Sequence, residues 1–280
     1  TAAAGKFKLG PIDLEIEQGL AVGFIGPNGA GKSTTINCIL GLHKRQGGSV
    51  EVCGEAAHPV LANWKNNIGF ILSNQAFYEN LSIEENLKFF ASFYENWDPD
   101  FSRNILKRLQ LDPGKKPKIL SVGERAQLCL VVALSHRPKL MIMDEPTSGL
   151  DPIVRAETLD ILGDLLRTGD HSLLISTHTL ADVSAIADHL AFIKAGLLMK
   201  KVAKDDLMND WRKISFRSVQ PVTSIPGVIK QAHEGPLHLV TTAEVGLTLD
   251  WLKRHQIEVL ESNRISLEEI TIHILQGTKV

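Results

Sequence analysis

The run Gly26-Pro27-Asn28-Gly29-Ala30-Gly31-Lys32-Ser33 satisfies G-x-x-x-x-G-K-[ST], and its setting constrains the fold more than any other feature of the chain. The apolar run Leu20-Ala21-Val22-Gly23-Phe24-Ile25 precedes it, and Ile36, Ile39 and Leu40 follow at helical spacing. This is a strand, a glycine-rich turn and a helix. Glycines let backbone wrap closely around a phosphate chain, while successive N–H groups and the helix N-terminus supply partial positive charge. Lys32 adds a full charge, and Ser33 is the candidate Mg²⁺ ligand. At average composition such a pattern arises by chance in roughly one chain of this size per hundred. The strand-to-helix context is therefore what separates it from an ordinary glycine bend.

Two further apolar runs, Leu140-Met141-Ile142-Met143 and Leu173-Leu174-Ile175-Ser176, read as buried strands flanked by helical patterns such as Ile153 to Leu166. Strands alternating with helices imply a parallel sheet. Between about Asn74 and Arg137 the pattern is mainly helical, over Ile83 to Tyr94, Phe101 to Leu109 and Glu124 to Leu134, separated by Pro99 and Pro113. Beyond about Ala203 the signals change again. Strands are expected near Ile214 to Arg217 and Leu237 to Thr241, and helices over Leu247 to His255 and Ser266 to Leu275. The expected organisation is an α/β phosphate-loop core over 1–73 and 138–203, a helical insertion over 74–137 and a small α/β region over 204–280.

Asp144-Glu145 ends an apolar strand, which places both carboxylates at the carboxyl edge of the sheet beside the phosphate loop, where open α/β sheets bind ligands. Alone, an acidic pair at a strand end is usually a solvated turn; the phosphate loop reverses that preference. Asp144 would hold the metal and Glu145 would orient or deprotonate a water attacking the γ-phosphate. His178 follows Ser176-Thr177 at another strand end and reaches the same edge, within range of the γ-phosphate or Glu145. His171 and His189 lack that placement. Asp151-Pro152 has a local explanation as a helix N-cap followed by proline at the first helical position.

Hydrophobic residues at 44% and charged residues at 22% fit a folded, soluble protein, and a net charge of −2 lacks the basic field that drives nonspecific nucleic-acid binding. Nucleic acid is not the expected partner. Cys38, Cys53 and Cys129 lack metal-ligand spacing and sit in apolar stretches, so they read as reduced core residues of a cytosolic protein. No apolar run approaches the roughly 18 to 20 residues needed to span a bilayer, and Thr1 to Lys8 has no apolar signal region. A membrane role would have to come through a partner.

Together, GPNGAGKST at 26–34, LMIMDEPTSGLDP at 140–152 and STH at 176–178 resemble the ABC ATPase family in order and spacing, over roughly residues 5–200. They are similar to its Walker A, Walker B, D-loop and switch-histidine elements. The resemblance implies that Gly26, Pro27, Asn28, Gly29, Ala30, Gly31, Lys32, Ser33 and Thr34 cradle ATP, that Ser33 and Asp144 hold Mg²⁺, and that Glu145 and His178 act in catalysis. Leu120-Ser121-Val122-Gly123-Glu124 resembles the family signature LSGGQ, with Val122 in place of a glycine and Glu124 in place of glutamine. Ser121 and Glu124 also have the S-x-x-E spacing of a capping box, and a capped helix start remains an anion site. In the family, Ser121 and Gly123 would face the ATP held by a second subunit, which implies a two-fold, head-to-tail pair, and the resemblance also implies that the D-loop Asp151 contacts nucleotide. Aligning Gly69-Phe70 and Phe77-Tyr78 with the family puts Ser73 at a usual metal-binding glutamine, with Gln75 two positions later. The usual adenine-stacking aromatic would precede Gly5, where Ala2-Ala3-Ala4 stand, and Phe7 is the nearby candidate.

The implied function is the ATP-hydrolysing subunit of an ABC transporter, working with an integral membrane permease subunit and a second ATPase subunit. It would lie in the cytoplasm, peripheral on the inner face of the cell membrane. Phe77-Tyr78-Glu79-Asn80-Leu81-Ser82 and Ser266-Leu267-Glu268-Glu269-Ile270 resemble ATPases of ABC-2 type exporters, so export is the expected direction. A soluble non-transport ABC ATPase, such as an iron–sulfur assembly ATPase, is the alternative. A regulator without hydrolysis is disfavoured by Lys32, Glu145 and His178.

Overall fold

A computed structural model describes residues 2–4, 7–57, 63–72, 75–219, 222 and 224–277. The chain folds as two compact units, Thr1–Lys201 and Val202–Val280.

In the first unit, β1 (Ala2–Ala4) and β2 (Phe7–Leu9) form a short antiparallel pair. Next come β3 (Ala21–Ile25), α1 (Lys32–Ile39), a hairpin of β4 (Glu51–Val52) and β5 (Glu55–Ala56), and β6 (Ile68–Ile71). The helices α2 (Ile83–Ala91), α3 (Pro99–Arg108) and α4 (Val122–Leu134) follow in succession. The chain then alternates through β7 (Leu140–Asp144), α5 (Pro152–Leu166), β8 (Ser172–Ser176), α6 (Leu180–Ile186), β9 (His189–Lys194) and β10 (Leu197–Ala203). The sheet order is β10-β9-β3-β8-β7-β6. The pairs β9/β3, β3/β8, β8/β7 and β7/β6 are all parallel, as the alternating pattern of strands and helices requires.

The register positions the site. Phe24 and Asp144 each lie opposite Ser176, so the carboxyl ends of β3, β7 and β8 finish at one level. These strands are buried on both faces, and their side chains alternate between two cores. Met141, Met143, Leu173 and Ile175 pack with α4 and α5, while Ile142, Leu174, Val22 and Phe24 pack with α1 and Trp64. The starts of α2 to α5 are marked by capping side chains. Ser82 and Glu85 form a capping box on α2, Asp98 caps α3 ahead of Pro99, and Ser121 with Glu124 forms a second box on α4. The expected boundary at 73/74 lies outside the described residues.

The cysteine reading needs one correction. Cys38 and Cys129 are buried, and burial pushes the Cys129 thiol up to about 12. Cys53 is exposed: with Gly54 it makes the two-residue turn between β4 and β5, at φ 53° and 81°. Those angles define the hairpin turn whose central residues face solvent, whatever the apolarity of their neighbours.

The second unit contains α7 (Lys204–Asp210), β11 (Arg212–Arg217), β12 (Val228–Glu234), β13 (Leu237–Thr242), α8 (Val245–Arg254), β14 (Val259–Arg264) and α9 (Leu267–Gln276). Its sheet is antiparallel in the order β12-β13-β11-β14, with Ile214, Phe216, Val240 and Leu252 in a core of their own. The sequence shows β11 and β13, whose central residues include the buried Ile214, Phe216 and Val240, but not β12 and β14. The two unanticipated strands are sheet edges with almost every side chain exposed, so they carry no apolar period. Among the described residues, no helix is long and apolar enough to cross a membrane.

Candidate functional site

The phosphate loop leaves β3 at Gly26 and enters α1 at Lys32. A Cβ at Gly26 would lie 2.3 Å from the Ile193 carbonyl oxygen, so only glycine lets the loop pass so close to β9. The turn is closed by Ala30 N–H donating to Pro27 O (3.1 Å) and pinned to the β9–β10 turn by Gly196 N–H donating to Ala30 O (2.8 Å). Pro27, Asn28 and Gly29 are exposed, as is Ser33, and Thr34 is half-buried in the first turn of α1. Gly31, at the N-cap of α1, has no side chain to offer, and no acidic residue occupies the first turn. The next four helices along the chain, α2 to α5, each have a capping side chain. The free N–H groups and positive dipole end of α1 thus face outward beside the loop, the arrangement that binds anions. Lys32 is buried, and its Nζ donates to Gly26 O (2.7 Å) and Pro27 O (3.3 Å). Burial pushes its ammonium pKa below the ordinary range, with Glu145 and Asp144 opposing that fall.

Asp144 is buried at the end of β7, and its Oδ1 has no hydrogen-bond partner. It lines a cavity of about 370 Å³ together with Ser33, Phe70, Leu72 and Gln75. Gln75 Oε1 is also buried without a partner. Ser73 lies outside the described residues, as does the Phe7 side chain. Ser33, Asp144 and Gln75 offer the oxygen donors that suit a hard cation. Among the described residues there is no group of three or more His, Cys, Asp or Glu able to hold a metal. Mg²⁺ needs none, since it keeps several waters and takes only one or two protein ligands beside phosphate oxygens. The donor set therefore fits Mg²⁺ arriving with a nucleotide.

Glu145 follows at φ 55°, in the left-handed region that a non-glycine residue rarely occupies. Its N–H donates to Ser176 O (2.8 Å) and its carbonyl accepts from Ser148 N–H (3.1 Å). This backbone turn aims the side chain at the loop after β8, where His178 Nδ1 donates to Glu145 Oε2 (2.6 Å). Two residues 33 apart in sequence thus form one pair at the sheet edge. The imidazole is largely exposed, while the carboxylate is half-buried.

Ser121 is exposed at the start of α4, where its Oγ accepts from Glu124 N–H (3.2 Å) while Ser121 N–H donates to Glu124 Oε2 (2.9 Å). Lys115 Nζ also donates to Glu124, at 2.6 Å. The Lys115 ammonium, then the Ser121 N–H, holds the Glu124 carboxyl pKa down at about 2. A Cβ at Gly123 would meet Gly149 O and Leu150 Cδ2 at 3.8 Å, which makes the signature turn and the Asp151 turn neighbours. Asp151 caps α5, accepting from Ile153 N–H (3.0 Å) and Val154 N–H (3.1 Å). Among the described residues no hydrogen bond joins Ser121, Gly123 or Asp151 to the phosphate loop. They form a second cluster, apart from the one built by Lys32, Ser33, Asp144, Glu145 and His178.

The family model for ABC transporter matches residues 9–148. The uncharacterized ABC transporter ATP-binding protein YhcH of Bacillus subtilis is 30% identical over 98% of this chain and 93% of its own length. The chain belongs to the ABC transporter family. The linearmycin resistance ATP-binding protein LnrL of Bacillus subtilis is 30% identical over 94% of this chain and 85% of that protein. A solved ATP-binding subunit of an ABC transporter superposes with TM-score 0.65 at 29% identity, covering 70% of this chain and 83% of that one. The protein is thus an ATP-binding, ATP-hydrolysing subunit of an ABC transporter, with the phosphate-loop α/β fold expected from its motifs. This ABC ATPase is similar to proteins named for transport and resistance, which favours the transport role over a soluble, non-transport one.

Proposed function

We propose that this ABC ATPase drives export through a separate membrane permease, and that Glu145 is its catalytic base. The observation that carries the catalytic part is the Glu145–His178 pair, at 2.6 Å, on the sheet edge beside an uncapped helix N-terminus. Gly26 to Thr34 would hold the triphosphate through backbone N–H groups, with Lys32 turning from its carbonyl partners to the β- and γ-phosphates. Ser33 and Asp144 would hold Mg²⁺, with Gln75 as the third oxygen facing the same cavity. Bound there, the cation would offset developing charge on the phosphates. Glu145 orients the attacking water and takes its proton, while His178 holds that carboxylate in place and lies within reach of the γ-phosphate.

Ser121, Gly123 and Asp151 complete the site of a second subunit. Their separation from the phosphate loop within one chain supports this reading, as does the exposed start of α4. The helical segment 74–137 would carry that signature and the permease contact. Tyr78, Phe89 and Phe93 stack edge to face there at 4.7 and 5.0 Å while remaining exposed, and clustered exposed aromatics mark a docking surface. A permease partner places the protein on the cytoplasmic face of the membrane. The linearmycin resistance relative supports export as the direction.

The test is Glu145→Gln. It should keep ATP affinity within about twofold of wild type while lowering steady-state hydrolysis by at least about a hundredfold, because the phosphate cradle remains and the base is gone. Hydrolysis at the wild-type rate would refute the assignment.

A further inference from the structure

Asp182 is almost wholly buried, with its side chain 1% exposed, and has no part in the roles assigned above. Its two oxygens are taken by different segments of the site. Thr147 Oγ1 donates to Oδ2 (2.6 Å) and Arg155 Nε donates to Oδ1 (2.6 Å). Thr147 lies in the turn that leaves β7, two residues after Glu145, and Arg155 lies on α5, four residues after Asp151. Asp182 itself lies on α6, four residues after His178. One carboxylate therefore joins the segments that carry Glu145, His178 and Asp151.

Such a junction has a task here. Glu145 sits in a strained backbone conformation, which persists only where the surroundings over-determine it. Its N–H bond to Ser176 fixes one side of the turn, and the Thr147 bond to Asp182 fixes the other. α6 is itself seated tightly, because a Cβ at Gly23 of β3 would come within 2.4 Å of Val183. The anchor is thus set against the strand that feeds the phosphate loop. A buried carboxylate is tolerated only when paired and hydrogen-bonded, so the three side chains stand or fall as a unit.

We infer that Asp182 is a positioning residue for ATP hydrolysis, holding the turn of Glu145, the loop of His178 and the helix after Asp151 in one register. The inference rests on Glu145 and His178 being the hydrolytic pair. It separates the rate of hydrolysis from nucleotide binding, since Asp182 touches none of the residues proposed to cradle phosphate.

The test uses the full chain, with steady-state ATPase kinetics and the dissociation constant for ATP measured side by side. Thr147→Val removes the hydroxyl but keeps the shape, and should lower kcat about tenfold while the ATP constant stays within about twofold. Thr147→Ser restores the hydroxyl and should stay near wild type. Asp182→Asn should lower kcat at least as much as Thr147→Val, and the double variant should lose no more than Asp182→Asn alone, because both break one network. Glu145→Gln runs as the control. If it abolishes turnover while Thr147→Val keeps the wild-type kcat, the positioning role is overturned and the hydrolytic pair stands. If Thr147→Ser falls as far as Thr147→Val, methyl packing and not the Asp182 bond is responsible, and the inference fails. If Glu145→Gln hydrolyses normally, the pair is misassigned and the inference falls with it.

Discussion

Substituting Gly69 by alanine would test whether the signature helix is held against the core by backbone contact. Gly69 lies in β6, and a Cβ there would come 2.1 Å from Ala133 O and 2.7 Å from Pro138 Cγ. Ordinary contact begins near 3.4 Å, so the end of α4 must retreat from β6 by roughly 1 Å. The retreat is resisted by His136, buried just after α4, whose Nε2 donates to Ile68 O (3.0 Å). Overpacking of this kind costs about 1 to 3 kcal/mol, and losing the His136 bond adds about 1, which gives roughly 2 to 4 kcal/mol in total.

Urea unfolding reads that loss directly. A matched control is Gly163→Ala in α5, where the added Cβ meets only Arg167 Nη1 at 3.5 Å. That variant should gain about 0.5 to 1 kcal/mol, from the helix preference of alanine over glycine. The same chemical change is thus expected to act with opposite sign at two sites. Because α4 is a continuous helix from Val122 to Leu134, movement at its far end also displaces Ser121. ATPase activity of Gly69→Ala should fall while ATP affinity holds. A Gly69→Ala protein with wild-type stability and activity would refute the reasoning, as would a Gly163→Ala protein destabilised to the same extent.

Glu124→Gln keeps the capping acceptor of α4 but removes the charge paired with Lys115. The carboxyl pKa falls from 4.5 to about 2 on folding, so its contribution is complete above pH 4.5 and is lost as pH drops toward 2. The pair is open to solvent, so the gap between wild type and variant should be about 1 kcal/mol at pH 7 in urea titrations. It should shrink at pH 3; a gap of constant size would count against the pairing. Lys32→Ala should weaken ATP binding by about 2 kcal/mol, near thirtyfold, through loss of a charge-assisted contact, and an unchanged dissociation constant in a direct titration would contradict that role.

Legibility in the sequence followed the physics of each element. β3, β7 and β8 are buried on both faces and read as unbroken apolar runs, and the parallel order followed from the helices between them. The start of α4 was visible because a capping box is local chemistry, spelled out within four residues. β12 and β14 were invisible because exposed edge strands need no apolar face. The Asp182 junction was equally hidden, since its partners stand 35 and 27 residues away and only the packing of α6 brings them together. Gln75 lay between these cases. Its position near the site was readable, but that its side chain lines the cavity beside Asp144 depends on a side-chain direction that no spacing encodes.

The departures of the signature from its family pattern have a physical counterweight in the fold. A helix N-terminus attracts an anion through its dipole and free N–H groups, so glutamate for glutamine at position 124 sets a negative charge against the task proposed for Ser121. Lys115 lies 2.6 Å from that carboxylate and neutralises it locally. The charge on Glu124 is also turned inward, onto the Ser121 backbone N–H, while the Ser121 hydroxyl remains at an exposed position. Val122 is 74% exposed, with its Cγ1 beside the Gly149 turn. The cost of these two substitutions therefore falls on the face proposed to meet a second subunit, where the isopropyl group must find a complementary surface. A partner whose opposing surface accommodates Val122 suits this signature better than one built to face glycine.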